Sequence, residues 1–198
     1  MASKNSKSDK NEDVFSVLSK DFDELSALLK KDSSNECLRR CYVRAYFAMV
    51  EASCSEMRRI LASEFHTNPG IFSPIEQMVI REKIVKLDHG KAFEEPSRFR
   101  TQELILFTMR MVARFAEEPE IEHISKEWAG FKDALKMRDG FMHPKTMDDV
   151  KISDKEYHLF LKASAWYLKK YQFYLSELLK YAKVYDDDKS KKSSPIPN

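Results

Sequence analysis

Between Tyr157 and Ala182 the side chains Tyr157, Leu161, Ser164, Leu168, Tyr171, Leu175, Leu178 and Ala182 recur at alternating spacings of four and three. A seam of that length requires one long helix packed nearly parallel to others, which makes the chain a helical bundle. Its start is marked by Ser153 as N-cap, with Glu156 three residues on to close a capping box. Beside the seam, Phe160, Tyr167, Tyr174 and Tyr181 recur every seven residues, with Trp166 and Phe173 nearby. That apolar face is wider than one partner helix needs. It is either ordinary core or, in part, a subunit interface, where Tyr and Trp are enriched.

The rest of the chain agrees with an all-α fold. Only four glycines occur, at 70, 90, 130 and 140, and no sustained alternation of apolar and polar residues supports strands. The periodicity predicts five to six helices, two of them long core helices: near 12–31, 35–65, from Pro74 to about Lys86, 100–117, 122–142 and from Ser153 to about Lys183. Ser73, Pro74 and Glu76 give the third helix an N-cap, a first-turn proline and a capping box. The segment "LDHGKAFEEPSRFR", 87–100, reads as a charged loop. Residues 1–11 and 185–198 are polar and aperiodic, which predicts two disordered tails around a single domain over 12–184.

Charge and cysteine usage narrow the function classes. With 34 basic against 32 acidic residues, the chain has no global field that would gather polyanions, so any nucleic-acid contact must be local. Cys37, Cys41 and Cys54 fall on one predicted helix at spacings poor for a disulfide, which points to a reducing, cytoplasmic setting. No apolar run approaches the ~20 residues needed to span a bilayer. The histidines at 66, 89, 123, 143 and 158 form no zinc-binding spacing, and Glu120 with His123 lacks the second Glu-x-x-His of a di-iron bundle. Gly-rich phosphate loops and serine elbows are also missing, so no metal or cofactor is expected.

Two constellations remain. On the second helix Arg40, Arg44, Glu51 and Arg58 lie within roughly 40° of one another, opposite an arc with Leu38, Tyr42, Tyr46, Met49 and Val50. Such a stripe is a solvated face, a salt-bridged one or a partial phosphate site. The other is "MRDGFMHPK", 137–145. Trp128, Phe131, Leu135 and Met142 share one helix face, and Arg138 falls inside the same arc. A permanent cation there requires an anionic partner, a wet cleft or a ligand phosphate. Asp139 stands roughly 100° around the helix and is not an obvious direct partner. Gly140 and Pro144 end the helix near His143, so the imidazole can swing back toward Arg138. A fixed cation beside an imidazole meets two needs of phosphodiester transfer; a salt-bridged arginine and a helix-end histidine are the plainer alternative.

"RDGFMH" resembles the Arg-x4-His signature of the HEPN domain (higher eukaryotes and prokaryotes nucleotide-binding), with a polar residue after the arginine, a proline after the histidine and a further helix from Ser153. "RRCYVRAYFAMVEA" is similar to the long helix that precedes the motif in such domains, and the resemblance spans roughly residues 35–183. It implies a metal-independent RNA endonuclease of the kind found in toxin–antitoxin, phage-defence or RNA-processing systems, a homodimer whose motifs meet at the interface, with an antitoxin or other protein partner in some systems. Carried onto this chain, Arg138 holds the scissile phosphate, His143 is general acid or base and Asp139 orients one of them. Arg40, Arg44 and Lys145 are further candidates for contact with substrate. Some members have lost catalysis and serve as binding modules, which is the alternative function for this chain.

Overall fold

The computed structural model describes the backbone of residues 14–67, 70–116 and 121–192, and the side chains over 14–63, 70–116 and 121–181. Within these bounds the chain is a helical bundle: α1 (Val14–Lys31), α2 (Glu36–Thr67), α3 (Pro74–Ile80), a hairpin of β1 (Lys83–Asp88) and β2 (Lys91–Pro96), α4 (Thr101–Ala113), α5 (Lys126–Met142), a 3-10 turn at 148–150, and α6 (Asp154–Lys192). The two longest helices are α2 and α6, as the periodicity predicts. α2 is central, touching α1, α3, α4, α5 and α6, while α6 closes the bundle against α4 and α5.

Helix starts follow the capping chemistry. Ser73 accepts the Glu76 N–H while the Glu76 carboxylate takes the Ser73 N–H, and Ser153 and Glu156 repeat the arrangement at the head of α6. α5 starts later than expected, at an N-cap from Ser125 to the Trp128 N–H. α6 continues to Lys192, through the first part of the expected 185–198 tail. The polar residues 185–192 contain no glycine or proline, so a packed helix propagates through them at little cost. The rest of that expected tail, 193–198, and the whole of 1–11 lie outside the described residues.

The hairpin corrects the sequence reading. α3 stops at Ile80 because Glu82 turns left-handed at φ 53°, and the chain then pairs Lys83–Asp88 antiparallel with Lys91–Pro96. His89 and Gly90 both have positive φ, 48° and 76°, the geometry of a two-residue hairpin turn. Apolar and charged residues occur on both faces of this hairpin, so no alternation marked it in the sequence. The Ser97 N–H to the Glu82 carbonyl, 2.8 Å, closes its base.

The core is aromatic. Phe131 stacks on Tyr167 at 4.9 Å between centroids and meets Phe47 edge-on at 5.6 Å, while Tyr46 meets Phe160 edge-on at 5.3 Å. Phe160, Tyr167 and Tyr174 are fully buried, so most of the seven-residue aromatic row of α6 belongs to the core of its own chain and is not subunit surface. Polar atoms carried into this core find partners: the Tyr46 hydroxyl donates to the Ser164 carbonyl, and the Tyr167 hydroxyl sits 3.1 Å from the Cys54 sulfur. Burial pushes the Cys54 thiol up to about 11, and all three cysteines are free.

Candidate functional site

The charge on the apolar arc of α5 has an anionic partner. Arg138, with 19% of its side chain exposed, pairs through Nη2 with Glu51 of α2 and through Nη1 with Asp139 at 2.9 Å. The second contact corrects the sequence expectation for Asp139. The flexible arginine side chain spans the roughly 100° between neighbouring helix positions. Glu51, 87 positions away in the chain, was legible only as part of a charged stripe.

That stripe is the surface on which the motif region rests. Arg44 donates to the Phe141 carbonyl in the last turn of α5, and Arg40 donates to the Val150 carbonyl of the 3-10 turn at 2.9 Å. Both guanidiniums therefore satisfy carbonyls that no helical N–H reaches. They hold the backbone on either side of the motif loop, a structural role beside the substrate contact expected of them. Arg58, two helical turns beyond Glu51, is buried and ties Thr108 of α4 to Glu82 at the base of the hairpin, at 3.2 and 2.5 Å.

His143 is the C-cap of α5, with φ −134° and ψ 56°; its N–H still reaches the Asp139 carbonyl at 3.0 Å. The ring is exposed, and among the described residues it makes no hydrogen bond or ion pair. The loop after it is pinned by Asp149, whose Oδ2 accepts the N–H groups of Lys145 and Thr146 at 2.9 and 2.7 Å and the Thr146 hydroxyl at 3.0 Å. Those donors hold the Asp149 carboxyl below its usual range, the Lys145 N–H first among them. The loop packs back on Gly140, where a Cβ would meet the Asp149 carbonyl oxygen at 3.4 Å, an ordinary contact distance. The Lys145 side chain is exposed. The structure thus brings Arg138, Asp139 and Glu51 into contact and leaves His143 presented to solvent from the same helix end.

No family model, curated protein or solved structure matches this chain.

Behind the motif helix, α5 and α6 enclose an apolar groove of about 580 Å³, floored by Ala134, Met137, Phe141, Phe160, Ala163 and Trp166. Its rim carries four lysines (126, 136, 151, 162) and five carboxylates (127, 133, 148, 149, 156). Sequence reasoning missed this groove. The signal available was the pair of small residues Gly130 and Ala134 one turn apart on α5. Among the described residues no cluster of three or more His, Cys, Asp or Glu side chains could hold a metal ion, and no helix is long and apolar enough to cross a membrane.

Proposed function

We propose that the chain is a metal-independent RNA endonuclease of the HEPN type, acting through Arg138 and His143. The observation that supports this reading is the end of α5, where a guanidinium fixed in direction by two carboxylates lies five residues before an exposed imidazole at the helix cap. A guanidinium has five N–H donors, and Glu51 and Asp139 take one each, which leaves donors for phosphate oxygens. In the reaction, a base removes the proton of the ribose 2′-OH and the 2′ oxygen attacks the adjacent phosphorus. The bond to the 5′ oxygen breaks, and an acid protonates that oxygen. The products are a 2′,3′-cyclic phosphate and a 5′-OH. His143 serves as acid or base, Arg138 stabilises the charge on the phosphoryl oxygens, and Asp139 positions Arg138.

One motif supplies one histidine, whereas the reaction uses both an acid and a base. Two-fold symmetry doubles the set. The α5–α6 groove suits a second copy, since its floor is apolar and its rim of mixed sign is complementary to itself and unsuited to a polyanion. Met137, Gly140 and Phe141 of the motif line it, while Arg138 and His143 lie outside it. A second reading, a noncatalytic module holding a protein or nucleotide partner, is favoured by the pairing of Arg138 with two carboxylates in the free chain. Incubating the protein with single-stranded and structured RNA in excess EDTA, beside the His143→Ala variant, tests the choice. The nuclease cuts RNA in EDTA and the variant does not. Intact RNA in every lane supports the binding module.

A further inference from the structure

A positive excess equal to that of the full sequence falls on the hairpin and the residues that join it to α3 and α4. Residues 81–100 contain six cations (Arg81, Lys83, Lys86, Lys91, Arg98, Arg100) and four carboxylates, a balance of +2 that equals the net charge of the full sequence. Three of the four carboxylates pair with cations, Glu82 with Arg58, Glu94 with Lys83 and Glu95 with Lys86, while Asp88 lies 3.5 Å from the His89 ring nitrogen. Lys91, Arg98 and Arg100 are exposed, with no ion pair among the described residues. The register puts Lys86 opposite Phe93 and Asp88 opposite Lys91, so Phe93, 44% exposed, shares a face with two lysines. An exposed ring between cations on an open hairpin suits a nucleobase stacked on the ring with its phosphates held alongside.

The hairpin also grows from the face of α2 that holds the motif. Glu51 takes Arg138 and Arg58 takes Glu82; seven residues separate these anchors, about 10 Å along the helix on nearly the same bearing. Beside the Arg58 anchor lies a shallow depression of about 340 Å³ lined by Ser55, Arg58, Arg59, Arg81 and Glu82, among others. We infer that the β1–β2 hairpin, with Phe93, Lys91, Arg98 and Arg100, is the arm that binds single-stranded RNA leading into the Arg138–His143 site. This inference rests on the proposed nuclease reading for its substrate. It gives a chain of nearly balanced charge a local concentration of cations, anchored on α2 two helical turns from Glu51.

The test measures binding apart from cleavage. A fluorescein-labelled single-stranded RNA of about 12 nucleotides, 2′-O-methylated so that it cannot be cut, is titrated by anisotropy over a series of salt concentrations. The Lys91→Glu/Arg98→Glu/Arg100→Glu variant should bind at least about tenfold more weakly and lose about 2 from its log–log salt slope, the share of three phosphate contacts on a single strand. Phe93→Ala should lose at least about fivefold through stacking alone, with its salt slope unchanged. A control with the same charge change elsewhere, Lys30→Glu/Lys31→Glu/Lys169→Glu, should bind as wild type. Wild type that fails to bind, a hairpin variant with wild-type affinity and slope, or a control that weakens equally would each overturn the inference. Hairpin-dependent binding without cleavage of unmodified RNA sinks the nuclease reading and leaves the arm standing. Cleavage indifferent to the hairpin variant does the reverse.

Discussion

The two faces of α2 use the same helical period for opposite ends. One face buries Val43, Tyr46, Phe47, Val50 and Met57 in the core, where each ring is fixed by its neighbours. The other carries Arg40, Arg44, Glu51 and Arg58 and fixes the end of α5, the 3-10 turn and the hairpin through individual polar contacts. The apolar face determines that the bundle forms, and the polar face determines where the motif and hairpin sit on it. Loss on the first face should therefore be paid in stability, and loss on the second in position and activity.

The largest effect expected is on the apolar side. Phe131→Ala removes a fully buried ring that contacts Phe47, Trp128 and Tyr167, and should cost about 3–5 kcal/mol by chemical denaturation. A loss below about 1 kcal/mol would mean that the aromatic cluster does not carry the fold.

On the polar side, Arg138→Ala should lower RNA cleavage by about 10²–10³-fold through lost stabilisation of the phosphoryl charge. Its stability cost should stay within about 1 kcal/mol, because the abandoned Glu51, 40% exposed, is readily solvated. Parallel kinetic and denaturation measurements check this split. An unfolded variant would place Arg138 with the structural residues.

Arg58→Met should cost about 1–3 kcal/mol, the loss of charge-assisted hydrogen bonds from a buried guanidinium. Hydrogen exchange should rise over Lys83–Pro96 and remain unchanged in α6. Uniform exchange across the chain would refute the claim that this contact fastens the hairpin.

The smallest effect is a pH dependence. The Arg114 hydrogen bond, aided by the Ser73 cap, holds the Glu76 carboxyl at about 2 against an ordinary 4.5. A depressed carboxylate stabilises the fold fully above pH 4.5, and that contribution is lost as pH falls from 4.5 through 2. Glu76→Gln should therefore flatten the acid limb of the stability profile and leave the protein weaker at neutral pH. An unchanged acid limb would remove Glu76 from the account.

How much of this was legible in the sequence follows from the same comparison. Local chemistry could be read directly: the capping boxes at Ser73 and Ser153 and the helical periods of α2 and α6 depend on residues three to seven apart. The hairpin was lost because Val85, Leu87 and Phe93 are exposed on two faces, and its signal was the short Asp-His-Gly-Lys turn. Arg138 advertised its need for an anion but not which one, because Glu51 reaches it through the packing of α5 on α2. The same packing gives Arg40 and Arg44 backbone carbonyls as partners, which the charged stripe alone did not show. The α6 aromatic row showed the converse limit, since periodicity cannot separate a core from an interface.

The proposed dimer sharpens the comparison further, because it asks the outer face of α5 to act with the inner one. Sedimentation at micromolar concentration should report about twice the 23.2 kDa chain mass. Trp166→Glu in the groove floor should give monomers and lower specific activity in proportion. A fully active monomer would contradict the doubled site.

The central claim is that the end of α5 cleaves RNA with its own side chains and the substrate's 2′-OH. The most direct measurement sets an RNA cut by wild type in excess EDTA against the same RNA carrying one 2′-deoxy sugar at the cut position. The account predicts a 2′,3′-cyclic phosphate end from the first and no cut at that position in the second. Equal cleavage of both strands would contradict it.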